Sequence, residues 1–263
     1  MALELEPVRE ILARCYGDMP PADFDALVQS AFESVPEREG KLVVVSYHGP
    51  HWQDVAKELA ALQQLGMLPM LVLRDDVSCT EDSVLANRCG QLAERLQRIG
   101  ASAEALVASG ARPVVLARQL CGFAFTTGVG GHALVASCRA GDIPVVPALG
   151  LDRHNLLRVD PDWVAYKIAT DETVVSALGG PMIVFVGSAV AREDGSRIDV
   201  LTPLALRILL SNGQIPEMLV DTANKAYTAA LNGAEVHIIP DGGLFREFYS
   251  QDGIGTTISA EPR

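Results

Sequence analysis

Lys41-Leu42-Val43-Val44-Val45-Ser46, a following segment in which Val55, Leu59 and Leu62 recur at i, i+4 and i+7, and then Met67-Leu68-Pro69-Met70-Leu71-Val72-Leu73 together decide the fold. The two outer runs have the length and composition of strands, the middle one has the helical period, and Gly66 stands where a helix C-cap is expected. A strand, a crossover helix and a second strand joined by short loops make a β-α-β unit. Apolar runs and helical segments keep alternating toward the carboxyl end, with further candidate strands at Pro113 to Arg118, Ile143 to Ala148, Met182 to Gly187, Glu235 to Ile239 and Ile254 to Ile258. The expected class is α/β, an αβα sandwich around a mainly parallel central sheet.

Before this body, Pro7 to Val35 reads as two helices, with Val8, Ile11 and Leu12 on one stripe and Phe24, Leu27 and Val28 on another. Gly17-Asp18-Met19-Pro20-Pro21 breaks them, and Pro36-Glu37-Arg38-Glu39-Gly40 forms a polar joint to the body. A second joint, Ala177-Leu178-Gly179-Gly180-Pro181, separates two similar lobes. The expected division is a helical arm over 1–38, an N-lobe over 39–178 and a C-lobe over 179–263.

Composition narrows the function. With 263 residues, 49% hydrophobic and 21% charged, the chain can bury a substantial core. A formal charge of -12 without a Lys/Arg cluster argues against nucleic acid and anionic membrane as partners. Five scattered cysteines, none in a Cys-x-x-Cys pair, suggest neither a disulfide framework nor a thiolate metal site, and hence a reducing compartment. The amino terminus lacks a basic region and an apolar run, and Pro181 to Ala191 is too short to span a bilayer, so a cytoplasmic protein is expected.

In open α/β sheets ligands bind beyond the carboxyl ends of the strands, which directs attention to four loops. After the first strand comes Ser46-Tyr47-His48-Gly49-Pro50-His51; after the second, Arg74-Asp75-Asp76. Two carboxylates in that second loop repel a bare phosphate by roughly 4 kcal/mol per charge pair at an effective dielectric near 20, but solvated loop residues are the favoured reading of Asp75 and Asp76. Arg158-Val159-Asp160-Pro161-Asp162-Trp163 is a helix start, with Asp160 as N-cap and proline at the first helical position. Asn212-Gly213-Gln214-Ile215-Pro216-Glu217 opens another helix, and Glu217 in its first turn complements the helix dipole.

The carboxyl-terminal stretch carries a resemblance. Glu235-Val236-His237-Ile238-Ile239 followed by Glu247-Phe248-Tyr249-Ser250-Gln251-Asp252-Gly253-Ile254-Gly255-Thr256 resembles the end of acetylglutamate kinases and of the kinase-like domain of acetylglutamate synthases. The resemblance implies the amino acid kinase fold, and it assigns the four loops. Ser46 takes the place of a lysine that contacts the transferring phosphate; His48 and Gly49 take the places of two cradling glycines. Arg158 and Asp160 fall on the substrate side, and Asp162 keeps the catalytic aspartate that organises two lysines. Gly213 and Glu217 are nucleotide-side positions, with Glu217 where the second lysine stands. A serine cannot supply the fixed charge of a lysine to a phosphoryl transition state, and a glutamate reverses it. Arginine-regulated relatives hold arginine between an amino-terminal helix and this carboxyl-terminal turn, which implies an effector site at Asp252, Gly253 and Gly255, with Asp252 toward the guanidinium and the amides around Gly253 toward the carboxylate. For both glycines a turn with positive φ is the alternative reading.

Other features invite weaker readings. Thr126-Thr127-Gly128-Val129-Gly130-Gly131-His132 leads into a helix from Ala133 to Arg139, as a tight turn or an anion site. His48, His51, Asp75 and Asp76 have the chemistry of zinc ligands, yet an irregular loop is a poor metal frame, and no metal is expected. Lys225, two turns beyond Glu217, reads as a surface helix lysine.

The resemblance thus implies a domain that has lost phosphotransfer and binds arginine or an acyl amino acid as a regulatory or accessory protein, with no cofactor, as a homo-oligomer or beside an acetyltransferase. The alternative is an active kinase of N-acetylglutamate or a related carboxylate in amino-acid biosynthesis, using Mg-ATP. A third reading, an unrelated enzyme with His48 and Asp75 as acid and base, also starts from the same loops.

Overall fold

The computed structural model describes residues 4–48, 52–73, 106–115, 130–152, 155–192, 194–250 and 253–260. The arm comprises α1 (Leu5–Tyr16) and α2 (Pro21–Arg38). The body follows with β1 (Leu42–Tyr47), α3 (Trp52–Gln64), β2 (Leu68–Leu73), β3 (Pro113–Val115), α4 (Gly131–Arg139), β4 (Ile143–Pro147), β5 (Leu149–Asp152) and β6 (Asn155–Arg158). After these come α5 (Pro161–Ala169), α6 (Glu172–Leu178), β7 (Met182–Gly187), β8 (Val200–Leu201), α7 (Pro203–Ser211), α8 (Glu217–Leu231), β9 (Glu235–Pro240), α9 (Leu244–Tyr249) and β10 (Thr256–Ile258).

Among the described residues, eight strands form one sheet in the order β3-β4-β2-β1-β7-β9-β10-β8, parallel except for the β9–β10 pair. All seven strands expected from the sequence lie in it. The eighth, β8, is a two-residue edge that a composition scan passes over, and β5–β6 is a separate antiparallel hairpin. One sheet runs through both expected lobes, because β1 pairs with β2 on one side and β7 on the other.

Successive residues of β1 serve opposite faces, as the period of two requires. Leu42 and Val44 pack with α5, α7 and α8, while Val43 and Val45 pack with the arm, α3 and α9. The result is a three-layer αβα sandwich. Val8, Leu12, Leu27, Val28 and Ala31 join the second layer, so the arm is part of the core and not a loose appendage. Burying each of its larger apolar side chains contributes roughly 1.5–3 kcal/mol. The expected polar joint at 36–40 begins later than the sequence suggests: α2 continues through Pro36 to Arg38, and the chain turns at Gly40, where φ is +75°. Among the described residues no helix is long and apolar enough to cross a membrane.

Candidate functional site

β1 delivers Ser46 to the carboxyl end of the sheet, between Val72 of β2 and Phe185 of β7. α5 meets it there. Pro161 presets the first turn of α5, and Asp160 caps it by accepting from the Trp163 amide at 3.0 Å. That cap fixes the next acid, Asp162, one residue into the helix and 1% exposed, over the strand end.

Asp162 is the hub. Its Oδ1 accepts from the Ser46 hydroxyl at 2.6 Å and lies 2.6 Å from His48 Nε2; its Oδ2 accepts from the Thr222 hydroxyl of α8 at 2.8 Å. Burial alone would push this carboxyl up, but His48, through its hydrogen bond and charge, and the Ser46 and Thr222 hydroxyls outweigh that and hold it below the ordinary carboxylate value. The trio Ser46, His48 and Asp162 is not a nucleophilic triad. Ser46 gives its proton to the aspartate, and the one His48 nitrogen near the serine, 3.4 Å away, is the same nitrogen that meets Asp162. A carboxylate with a depressed pKa is also a weak base toward that serine.

Asp160 lies on the rim. The Lys225 ammonium reaches its Oδ2 at 2.9 Å and also pairs with Asp221 one turn back on α8. Lys225 is therefore not the free surface lysine that the sequence suggests; its side chain is 16% exposed and points back to the start of α5. Burial works against its charge, but Asp221, Asp160 and Asp162 more than compensate and raise its pKa. Three carboxylates thus face one fixed cation. Thr222 and Lys225 were legible only as an i, i+3 pair on one helical stripe, a pattern that becomes meaningful once α8 is known to cross α5.

The other expected positions fall as follows. Gly213 turns with φ +68° between α7 and α8, and Glu217 is exposed in the first turn of α8. Beside that turn a cavity of about 440 Å³ is lined by Ala191, Arg192, Asp194, Ile198, Leu209 and Gln214. Arg158 ends β6, in register with Leu149. Gly49, His51, Asp75, Asp76, the 126–129 glycine loop and Asp252 lie outside the described residues.

At the carboxyl end, Gly253 has φ +58°, as a turn glycine should, whereas Gly255 is needed for a different reason. A Cβ there would sit 2.6 Å from the Ile238 carbonyl oxygen and 3.0 Å from Glu247 Oε2. The amides of Ile254 and Gly255 are already engaged, donating to Glu247 Oε2 at 2.9 and 2.7 Å. The expectation that amides around Gly253 await a ligand carboxylate is corrected to this extent: Glu247 occupies these two. Its other oxygen, Oε1, meets the buried His237 Nδ1 at 2.7 Å, and His237 Nε2 meets Glu235 at 3.0 Å. Burial disfavours both charges, yet the pairing prevails, raising His237 and lowering Glu247 to about 2. In the sequence Glu247 and His237 stand ten positions apart as members of the carboxyl-terminal motif, and no local pattern signals that they pair.

Comparison with known proteins adds to this geometry. No family model matches the chain. An acetylglutamate kinase of Chloroflexus aurantiacus is 34% identical over 122 residues, which is 45% of this chain and 46% of that protein. One from Psychrobacter cryohalolentis is 27% identical over 124 residues, 45% of this chain and 40% of that protein. The similar stretch spans less than half of the curated relatives' length. Among solved structures, N-acetylglutamate synthase from Neisseria gonorrhoeae, complexed with coenzyme A and N-acetyl-glutamate, matches with a TM-score of 0.70 at 20% identity, covering 91% of this chain and 64% of that one. Giardia carbamate kinase matches at 0.61 and 11% identity, covering 84% and 99%. Together with the parallel sheet, the arm and the aspartate at the head of α5, these likenesses establish that the chain has the amino acid kinase fold.

Proposed function

We propose that this chain is an acetylglutamate-kinase-like domain that has lost phosphotransfer and binds arginine or an acyl amino acid as a regulatory or accessory protein. One observation carries the reading. Where a kinase of this type needs two lysines around its aspartate, Asp162 is held instead by two hydroxyls and an imidazole, and the nearby Lys225 is tied to Asp160 and Asp221. Charge developing on a transferring phosphoryl group requires fixed cations already in place, and among the described residues around Asp162 carboxylates outnumber them. Further support comes from the related synthase structures, whose ligands include N-acetyl-glutamate and L-arginine. In this reading Ser46, His48, Gly49, Arg158 and Asp160 face the ligand, residues 39–178 form its lobe, and residues 179–263 carry the former nucleotide side. The effector segment around Asp252, Gly253 and Gly255 would receive arginine only if Glu247 yields its two amides. The domain would act in the cytoplasm as a homo-oligomer or with an acetyltransferase.

The second reading, an ATP-dependent kinase of N-acetylglutamate or a related carboxylate, draws on the 440 Å³ cavity beside Gly213 and on the His48 imidazole 2.6 Å from Asp162. Calorimetric titration with Mg-ATP separates the two. The proposal expects no binding heat and no ADP release with N-acetylglutamate, together with a rise in Tm on adding millimolar N-acetylglutamate or arginine. Micromolar Mg-ATP affinity with turnover would replace it by the kinase reading, and no response to either amino acid would refute the ligand assignment.

A further inference from the structure

Three carboxylates are buried among the described residues, and two of them, Asp162 and Glu247, meet an imidazole. The third, Glu58, meets none. It projects from the middle of α3 into a three-way junction, 4% exposed, where the Tyr16 hydroxyl at the end of α1 donates to its Oε1 and the Leu244 amide at the start of α9 donates to its Oε2 at 3.1 Å. The same junction is sealed by the Tyr16 ring against Phe245, centroids 6.0 Å apart, and by Phe245 stacked on Tyr249 at 4.5 Å.

We propose that docking of α1 on the body is proton-linked through Glu58: the buried junction accommodates the neutral carboxyl better than the carboxylate, so that the arm loosens as pH rises from acid to neutral. The charged surroundings fit this assignment. On α9 and the turn before it, Asp241 adds a like charge and Arg246 acts on Tyr16. On α1, Cys15 is neutral and half-buried, and Arg14 hydrogen-bonds Gln64 at 3.5 Å. On α3 itself, Lys57 is half-exposed and pairs with Asp54. On α2, Arg38 engages Glu235, Met182 Sδ and the Phe248 ring. Burial is the largest influence on Glu58, and it overrides the Tyr16, Leu244 and Phe245 donors to push the carboxyl up to about 7. Lifting α1 away returns this face of α3 to water and the carboxyl toward its ordinary 4.5.

The sign follows. A group whose pKa is raised in the docked state favours docking fully below its undocked value and loses that contribution as pH rises to the docked value, here between about 4.5 and 7. The apolar contacts of Val8 and Leu12 remain at any pH, so the arm loosens without the body unfolding. The test is amide hydrogen exchange on the full chain, with each rate divided by the intrinsic rate at the same pH. Between pH 5 and 8.5, α1 protection should fall on the order of a hundredfold relative to β1 and β7. In Glu58→Gln, which keeps the acceptor oxygen and cannot ionise, α1 protection should be flat. In Tyr16→Phe, which removes a donor to the carboxylate, the fall should extend to higher pH. A wild-type profile without the fall, the same fall in Glu58→Gln, or an unmoved end-point in Tyr16→Phe would each overturn the proposal.

Discussion

Two carboxylate–histidine pairs sit at different places on this sheet, Asp162 with His48 at 2.6 Å and Glu247 with His237 at 2.7 Å. Their chemistry is nearly the same. In each, one oxygen meets the imidazole, the other accepts from protein donors, and pairing overcomes burial to depress the acid. What differs is the lid. The His237 side chain is 1% exposed and closed in by a second carboxylate, whereas that of His48 is 29% exposed at the open end of the sheet. A sealed pair can only hold the fold, while an open one can also answer to a ligand; accessibility, and not the set of side chains, separates structure from function here.

The largest effect is therefore expected at the sealed pair. Glu247→Ala strands His237 beside Glu235 and leaves the Ile254 and Gly255 amides without their acceptor. Removing one partner of a buried pair costs about 3–5 kcal/mol, enough to lower Tm by roughly 10 °C in a chain of this size. Scanning calorimetry checks this, and a drop of only a degree or two would mean that the pair is not sealed.

The pH dependence sharpens the same point. Glu247, lowered to about 2, contributes stability that is full above its ordinary 4.5 and fades as pH falls toward 2, on the order of 3 kcal/mol in all. His237, raised, contributes stability that is full below its ordinary 6.5 and fades as pH rises through its higher folded value. Both act in full between pH 4.5 and 6.5. The gap in denaturant midpoint between wild type and Glu247→Gln should be widest in that window and narrow on either side; a gap independent of pH would show that the two groups are neutral in the fold.

A smaller loss, about 1–3 kcal/mol, is expected for Gly255→Ala, because the new methyl meets the Ile238 carbonyl and the Glu247 carboxylate, and of these only the side chain can retreat. Gly253→Ala, by contrast, acts through its positive φ. If both variants unfold at the wild-type denaturant midpoint, the turn is not packed as described.

Why the fold was legible and the site only partly so follows from range. Strand and helix periods are local, and Asp160-Pro161 announces the start of α5 without any tertiary information. The partners of Asp162 come from positions 46, 48 and 222, and no local pattern says that α8 crosses α5. Lys225 misled for that reason: exposed helical lysines and lysines that reach a neighbouring helix look alike in sequence. Position 255 misled differently, because a glycine demanded by a close approach cannot be told from one demanded by φ until the neighbouring strand is in place.

The smallest effect on stability, and the most informative, is expected at the open pair. His48→Ala exposes one face of Asp162 to water, while Ser46 and Thr222 still donate to both of its oxygens. A partly exposed pair contributes about 0–1 kcal/mol, so Tm should hardly move. If His48 is part of a ligand site, the Tm rise given by N-acetylglutamate in wild type should nevertheless shrink in this variant, since ligand-induced stabilisation follows affinity and not the stability of the free protein. His237→Ala should do the reverse, lowering Tm sharply while the ligand-induced increment survives. Variants that shift both quantities in parallel would erase the distinction between the two pairs and return His48 to a purely structural role.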